Sequence, residues 1–192
     1  IHQYEKELAF ITSSKIKDLQ PKGNQVVVIA GFVLTVRAMM TKRGDRMAFI
    51  TLDDGDGRME LAIFSDLYAD YRELLVKDKL IIVEGEVSVD EYSGGYRMSA
   101  KRLFDMEEAR EIYAKGILLK LCAKQLSPEL ITQLEQVLLT HCGGTCPITI
   151  EYLTDNSKAK LNMGEKWSVT PKDSLLNHLR SLFGESTVKV GY

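Results

Sequence analysis

The chain has 192 residues, 45% of them hydrophobic and 27% charged, with a formal net charge of −2. That length suits one large or two small domains with real apolar cores. Residues 1–106 carry 15 Lys/Arg against 17 Asp/Glu and residues 107–192 carry 10 against 10, so neither half is a polycation, and wrapping of duplex DNA by a global positive field is disfavoured.

Ile1, Tyr4, Leu8 and Ile11 recur at helical spacing and predict a short amphipathic helix. Lys15 to Asn24, with Pro21 and Gly23, reads as a connector, so residues 1–25 form an N-terminal segment. Val26 to Met39 is a long apolar strand whose Gly31 predicts a bend or bulge. Met47 to Leu52 alternates apolar and polar residues as a second strand. Asp53-Asp54-Gly55-Asp56-Gly57 is a tight hairpin turn, and Arg58 to Phe64 is a third strand. Ser65 is expected to cap a helix whose apolar face is Leu67, Tyr71, Leu74 and Leu75. Lys79 to Val89 is the fourth strand, Asp90 to Gly95 an exposed loop, and Tyr96 to Asp105 the fifth strand.

Met106 to Lys115 is helical, ended by Gly116, and marks the domain boundary. Beyond it, Gly116 to Cys122 reads as a strand. Ser127-Pro128-Glu129 starts a helix that runs through Thr140 and is stopped by Gly143-Gly144. Ile148 to Leu153 and Lys160 to Met163 predict a hairpin around Asp155-Asn156-Ser157, and Trp167 to Val169 a further strand. Pro171 to Phe183 is a final helix, followed by an exposed tail, Val188 to Tyr192. Residues 107–192 are therefore expected to form a small α+β domain.

Five strands with one helix between the third and fourth is the order of an OB-fold, a five-stranded Greek-key barrel that presents a sheet face and two loops to oligonucleotides. The fold class expected is mixed: that barrel over residues 26–106, then the α+β domain. The first long loop carries Arg37, Lys42, Arg43 and Arg46 against Asp45, a local charge of +3, at the mouth of the expected groove. Phe49, Phe64, Tyr92 and Tyr96 are candidate stacking partners, and Arg97, Lys101 and Arg102 add charge along the fifth strand. Single-stranded nucleic acid is thus the expected ligand. A merely solvated loop tip is the competing reading, and the barrel context favours the first.

Other constellations point away from catalysis. Asp53, Asp54, Asp56 and Glu60 invite a metal reading, but Arg58 stands where a calcium loop needs an oxygen ligand, and Asp and Gly are what a hairpin turn requires. His141, Cys142 and Cys146 lack a second ligand pair at zinc-finger spacing, so a helix end followed by a glycine turn accounts for them better. Cys122, Cys142 and Cys146 do not make a disulfide framework and read as reduced intracellular thiols. No nucleophile motif, metal site or cofactor is expected. No apolar run approaches the roughly 20 residues of a membrane span, and Ile1 to Lys6 is not a signal peptide, so a cytoplasmic protein without membrane contact is expected. The first residue is Ile1 rather than Met, which suggests a piece of a longer chain.

Trp167, Leu175, Leu176, Leu179, Leu182 and Phe183 form an apolar stripe. It is either the core of the second domain or a docking surface made by Trp167, Leu176, Leu179 and Phe183 and extended by Val190 and Tyr192 of the tail.

Several blocks in order carry a resemblance that covers nearly the whole chain: Val36 to Gly44, Thr51-Leu52-Asp53-Asp54, Asp90 to Gly95, Glu107-Glu108-Ala109-Arg110, Trp167 to Pro171, and Leu175-Leu176-Asn177. They resemble the C-terminal part of the alpha subunit of bacterial DNA polymerase III. The resemblance implies that the barrel binds single-stranded template through Arg37, Lys42 and Arg43. It also implies that the last domain binds the tau subunit of the clamp loader, with other subunits of the holoenzyme as further partners. The polymerase carboxylates lie upstream in that family and are not matched, so no nucleotidyl transfer is expected of this chain. The tail ends Lys189-Val190-Gly191-Tyr192 where an acidic tail would be expected. Two rival readings are a tRNA anticodon-binding barrel of a class II aminoacyl-tRNA synthetase, which shares the strand order, and a pure protein-interaction scaffold.

Overall fold

The structure, a computed structural model, describes residues 4–21, 25–89 and 94–192. The chain divides into two compact units, residues 1–106 and 107–192.

In the first unit, α1 (Glu5–Ile11) buries Leu8 and Ile11. Ile1, the first residue of the predicted pattern, lies outside the described residues. The segment after α1 is more than a connector. Ile16–Asp18 form a 3-10 turn that delivers Ile16 and Leu19 into the barrel core.

Strands β1 (Val26–Met40), β2 (Arg46–Asp53), β3 (Arg58–Ile63), β4 (Leu80–Val89) and β5 (Tyr96–Phe104) close into a barrel of order β1-β2-β3-β5-β4. The β3–β5 pairing is parallel and the other four are antiparallel. Period-two alternation decides which side chains fill the interior. Ala48, Ile50 and Leu52 of β2 and Met59, Leu61 and Ile63 of β3 point inward. They meet Ile29, Val33, Ile81, Val83, Met98 and Leu103 from the other strands. The expected OB-fold is present.

Two local expectations change. The bulge in β1 falls between Val33 and Thr35, not at Gly31. Gly31 serves a close approach: a Cβ there would lie 2.6 Å from the Asp53 carbonyl oxygen, at the point where β1 passes from pairing β4 to pairing β2. Helix α2 (Ser65–Tyr71) has Phe64, not Ser65, at its N-cap, with no side-chain capping bond. The extended end of β3 runs directly into the helix. Leu67, Tyr68, Tyr71 and Leu74 still pack onto the barrel core, and Leu75 is buried within it.

The second unit contains α3 (Met106–Tyr113), β6 (Gly116–Cys122), α4 (Pro128–His141), β7 (Cys142–Cys146), β8 (Ile148–Leu153), β9 (Lys158–Asn162), α5 (Asp173–Phe183) and β10 (Val188–Gly191). Its sheet has the order β10-β6-β8-β9, with β6 and β8 parallel. Helix α4 opens as its sequence dictates: Ser127 Oγ accepts from the Leu130 amide at 3.2 Å and Pro128 occupies the first turn. Ile117, Leu119, Leu121, Leu134, Leu138, Ile148, Leu175, Leu176 and Leu179 form the core.

Three readings of this half are corrected. Trp167 to Val169 is no strand: Glu165–Trp167 make a 3-10 turn, and Val169 forms only isolated bridges to Cys142 and Cys146. The tail is not loose. Val188–Gly191 pair antiparallel with β6, and Val188 is buried. Four residues carry too short an alternation to announce a strand without sight of its partner. Finally, the helix does stop before Gly143, but Cys142–Cys146 continue as β7. Gly144 lies so close to the Val169 backbone that a Cβ would fall 2.3 Å from it.

Candidate nucleic-acid interface

Because Ile50 and Leu52 face the barrel interior, Phe49 and Thr51 face outward, and the same parity places Glu60, Arg97, Arg37 and Thr35 on the outer surface. Cross-strand register aligns them in two rows. Arg37 opposes Phe49. One rung along, Thr35 opposes Thr51, Thr51 opposes Glu60 and Glu60 opposes Arg97. The face formed by β2, β3 and their neighbours is the one on which OB-folds lay oligonucleotides.

At its centre is a charged cluster. The Glu60 carboxylate accepts from Arg37 Nη2 at one oxygen, and Arg97 Nη2 lies 3.1 Å from the other. The Arg97 guanidinium also lies over the Phe49 ring, 5.4 Å from its centroid, a cation–π geometry. The remaining cations of this surface are matched likewise: Lys101 by Glu86, and Arg102 by Glu84 at 3.7 Å.

The loop between β1 and β2 differs. Thr41 fastens it: its Oγ1 accepts from the amides of Arg43 and Asp45 at 3.3 and 3.2 Å, and its carbonyl accepts from the Gly44 amide at 2.9 Å. Gly44 has φ +88°, a left-handed conformation that glycine adopts without strain. Lys42, Arg43 and Arg46 are exposed on this turn and make no ion pair among the described residues. Of the seven cations expected to touch a ligand, these three keep their full charge available.

The aromatics do not form one stack. Phe49 is half-buried beneath Arg97. Phe64 is 54% exposed at the α2 N-terminus, and Tyr96 is 45% exposed at the start of β5. Strand alternation sends Tyr96 to the opposite side from Arg97. Tyr92 lies outside the described residues, as does most of the loop between β4 and β5.

The acidic hairpin is a fastening device. Asp53 accepts from Arg58 Nε and from the Gly55 amide, both at 2.7 Å. Asp54 accepts from the amides of Ile16, Asp56 and Gly57, and Asp56 pairs with Lys15 and Lys17. The bonds from Arg58 to Asp53, and from the two lysines to Asp56, hold both carboxyls below their ordinary range. Glu60 belongs to the sheet face instead. Its grouping with these aspartates by proximity in sequence missed that role, although strand parity from Leu61 places it on the outer face that Phe49 also occupies.

In the second unit, Leu176 and Leu179 are fully buried in the core cluster, so they are core rather than part of a docking surface. Trp167, Phe183 and Val190 are half-buried against the same core, and Tyr192 is half-buried at the chain end. His141 Nδ1 and Nε2 bond with the Val137 carbonyl and Ser174 Oγ at 3.0 and 3.2 Å. No helix of the described residues is long and apolar enough to cross a membrane.

Residues 27–106 match a family model described as OB-fold nucleic acid binding domain, and residues 133–184 match one described as DNA polymerase III subunit alpha, C-terminal domain. The whole chain is 40% identical to DNA polymerase III subunit alpha of Escherichia coli (strain K12) and covers 17% of it. It is 36% identical to the subunit of the same name from Vibrio cholerae, again over the whole chain and 17% of the relative. A replication protein A domain from Methanococcus maripaludis aligns with 50% of this chain and 97% of its own at 23% identity and a TM-score of 0.40, too distant to bear on function. The chain spans less than one fifth of the length of the curated relatives it matches. Over its full length it is related to the C-terminal region of the bacterial DNA polymerase III alpha subunit.

Proposed function

We propose that the chain is the non-catalytic C-terminal portion of a replicative DNA polymerase III alpha subunit. In this reading the barrel binds single-stranded template DNA and the second unit docks the clamp-loader tau subunit within the cytoplasmic holoenzyme. Nucleotidyl transfer is assigned to parts of the subunit that this chain does not cover.

The observation that carries the DNA reading is the group of three exposed cations, Lys42, Arg43 and Arg46, which make no ion pair among the described residues and sit at the end of the β1–β2 hairpin, on whose second strand Phe49 faces outward. Cations at that position track a phosphate backbone, and an aromatic ring below them takes a base without regard to sequence. The test is fluorescence anisotropy of labelled oligo-dT over a range of salt. Replacing Lys42, Arg43 and Arg46 together by Ala is expected to flatten the slope of log K against log salt by about 0.7 per lost phosphate contact. An unchanged slope removes this loop from DNA contact, and a clear preference for folded tRNA in competition favours the anticodon-binding alternative. Relatedness over residues 107–192 supports the tau assignment, which is tested by co-purification of this chain with the tau subunit. Tau capture without any oligonucleotide binding would leave a protein-interaction scaffold.

A further inference from the structure

Two arginines and one carboxylate occupy the centre of the barrel's outer face, where an unpaired strand would lie in the reading above. Arg37 is 70% exposed and donates to one Glu60 oxygen, and Arg97, 34% exposed, is ion-paired with the other at 3.1 Å. The three groups carry a net charge of +1 in place of +2. A phosphate reaching either arginine must displace Glu60 or accept its negative charge as a neighbour. Both routes cost Coulomb energy and cancel part of the counterion release that drives binding.

We propose that Glu60 acts as an internal competitor that keeps phosphates off the sheet face. It reserves that face for bases and leaves the backbone to Lys42, Arg43 and Arg46. The geometry gives each part a separate task. Glu60 offsets the charge of the Arg97 guanidinium, whose carbon lies 5.4 Å from the Phe49 ring centroid, so this part of the face presents a neutralised cation and a ring rather than a phosphate site. Arg37 approaches from β1 and closes the second carboxylate oxygen. The strand is therefore held along one edge, by the loop, and released easily from the rest. A template-contacting surface that has to let its strand move needs that property.

This inference rests on single-strand binding by the barrel, and the test separates the two. Oligo-dT anisotropy is measured across a salt series for the whole chain and for Glu60→Gln, Glu60→Leu, Arg37→Ala and the double variant Arg37→Ala/Glu60→Gln. Both Glu60 variants are expected to bind several-fold tighter at low salt, with a slope of log K against log salt steeper by about 0.7, the one phosphate contact that released Arg37 adds. The gain is expected to shrink when Arg37 is also replaced. Because Glu60 is only half-buried and Arg37 is exposed, thermal melts of the Glu60 variants should stay close to the parent. Equal or weaker binding by folded Glu60 variants overturns the proposal while leaving single-strand binding by the barrel intact. Binding that first appears on removing Glu60 supports it, and failure of every form to bind oligo-dT overturns both readings.

Discussion

Arg97 covers the ring of Phe49, with its guanidinium carbon 5.4 Å from the ring centroid. The contact joins β5 to β2 across the outer face of a barrel in which those strands are not neighbours, since β3 lies between them. Parity makes it possible: Phe49, Ala62 and Ser99 form one cross-strand row, and the small side chains of Ala62 and Ser99 leave the space that Arg97 crosses.

If the Phe49–Arg97 pair is the base platform, Phe49→Ala should weaken oligo-dT binding by about 1–3 kcal/mol, the range found for single base–aromatic contacts. The salt slope should stay as it was, because no phosphate contact is lost. A loss of slope with little loss of affinity would move the ring out of the groove. Anisotropy at two salt concentrations distinguishes the outcomes.

Leu179 is fully buried in the second unit, whereas Ile131 and Leu139 on α4 are 54% and 56% exposed. Leu179→Ala is therefore expected to cost about 2–5 kcal/mol through lost burial and the cavity it leaves. Ile131→Ala and Leu139→Ala should each stay within about 0.5 kcal/mol. Urea melts followed through Trp167 fluorescence would give both values. Equal costs at the three positions would contradict the placement of α5 in the core.

The apolar stripe of α5 shows where sequence reading meets its limit. Helical spacing places Leu175, Leu176, Leu179 and Phe183 together, but the same spacing serves a core or a docking face, and only the sheet beneath them decides. The barrel was more legible. Strand alternation in Met47 to Leu52 and Arg58 to Phe64 encodes both the inner and the outer face, and the basic loop lies between two clear strands. What alternation does not encode is pairing across strands. That Arg37 and Arg97 share Glu60, or that Val188–Gly191 complete a sheet begun at Gly116, depends on register between residues 23 to 75 positions apart. In the sequence Gly31 reads as a bend or bulge and Gly143-Gly144 as a helix stop. Gly31 and Gly144 are instead each required by a neighbouring backbone at van der Waals range.

The three thiols should react in order of exposure. Cys142 is exposed and Cys122 half-buried, while Cys146 is buried, and its burial pushes the thiol above the ordinary cysteine range. The thiolate is the reactive form, so Cys146 is disfavoured both by access and by protonation. Timed labelling with a thiol reagent near neutral pH should modify Cys142 first and Cys146 only as the unit opens in denaturant. Early labelling of Cys146 in folded protein, read by peptide mass mapping, would show β7 detached from Val169.

Arg110 of α3 is fully buried and donates to Asp173 Oδ1 at 2.7 Å, while Glu107 Oε1 accepts from the Asp173 amide at 3.0 Å. Two successive turns of α3 thus hold the first residue of α5. The Asp173 carboxylate retains about one third of its exposure, so the two ends of this pair are not equivalent. Asp173→Asn removes the charge from one partner of a buried guanidinium and should cost about 3 kcal/mol. Arg110→Met removes the buried charge, keeps most of the volume, and leaves an aspartate that can turn to water, so its cost should be smaller. Urea melts of the two variants give the order. If Arg110→Met proves the more damaging, the guanidinium is held chiefly by its other contacts, and Asp173 serves α5 as an N-terminal acid alone.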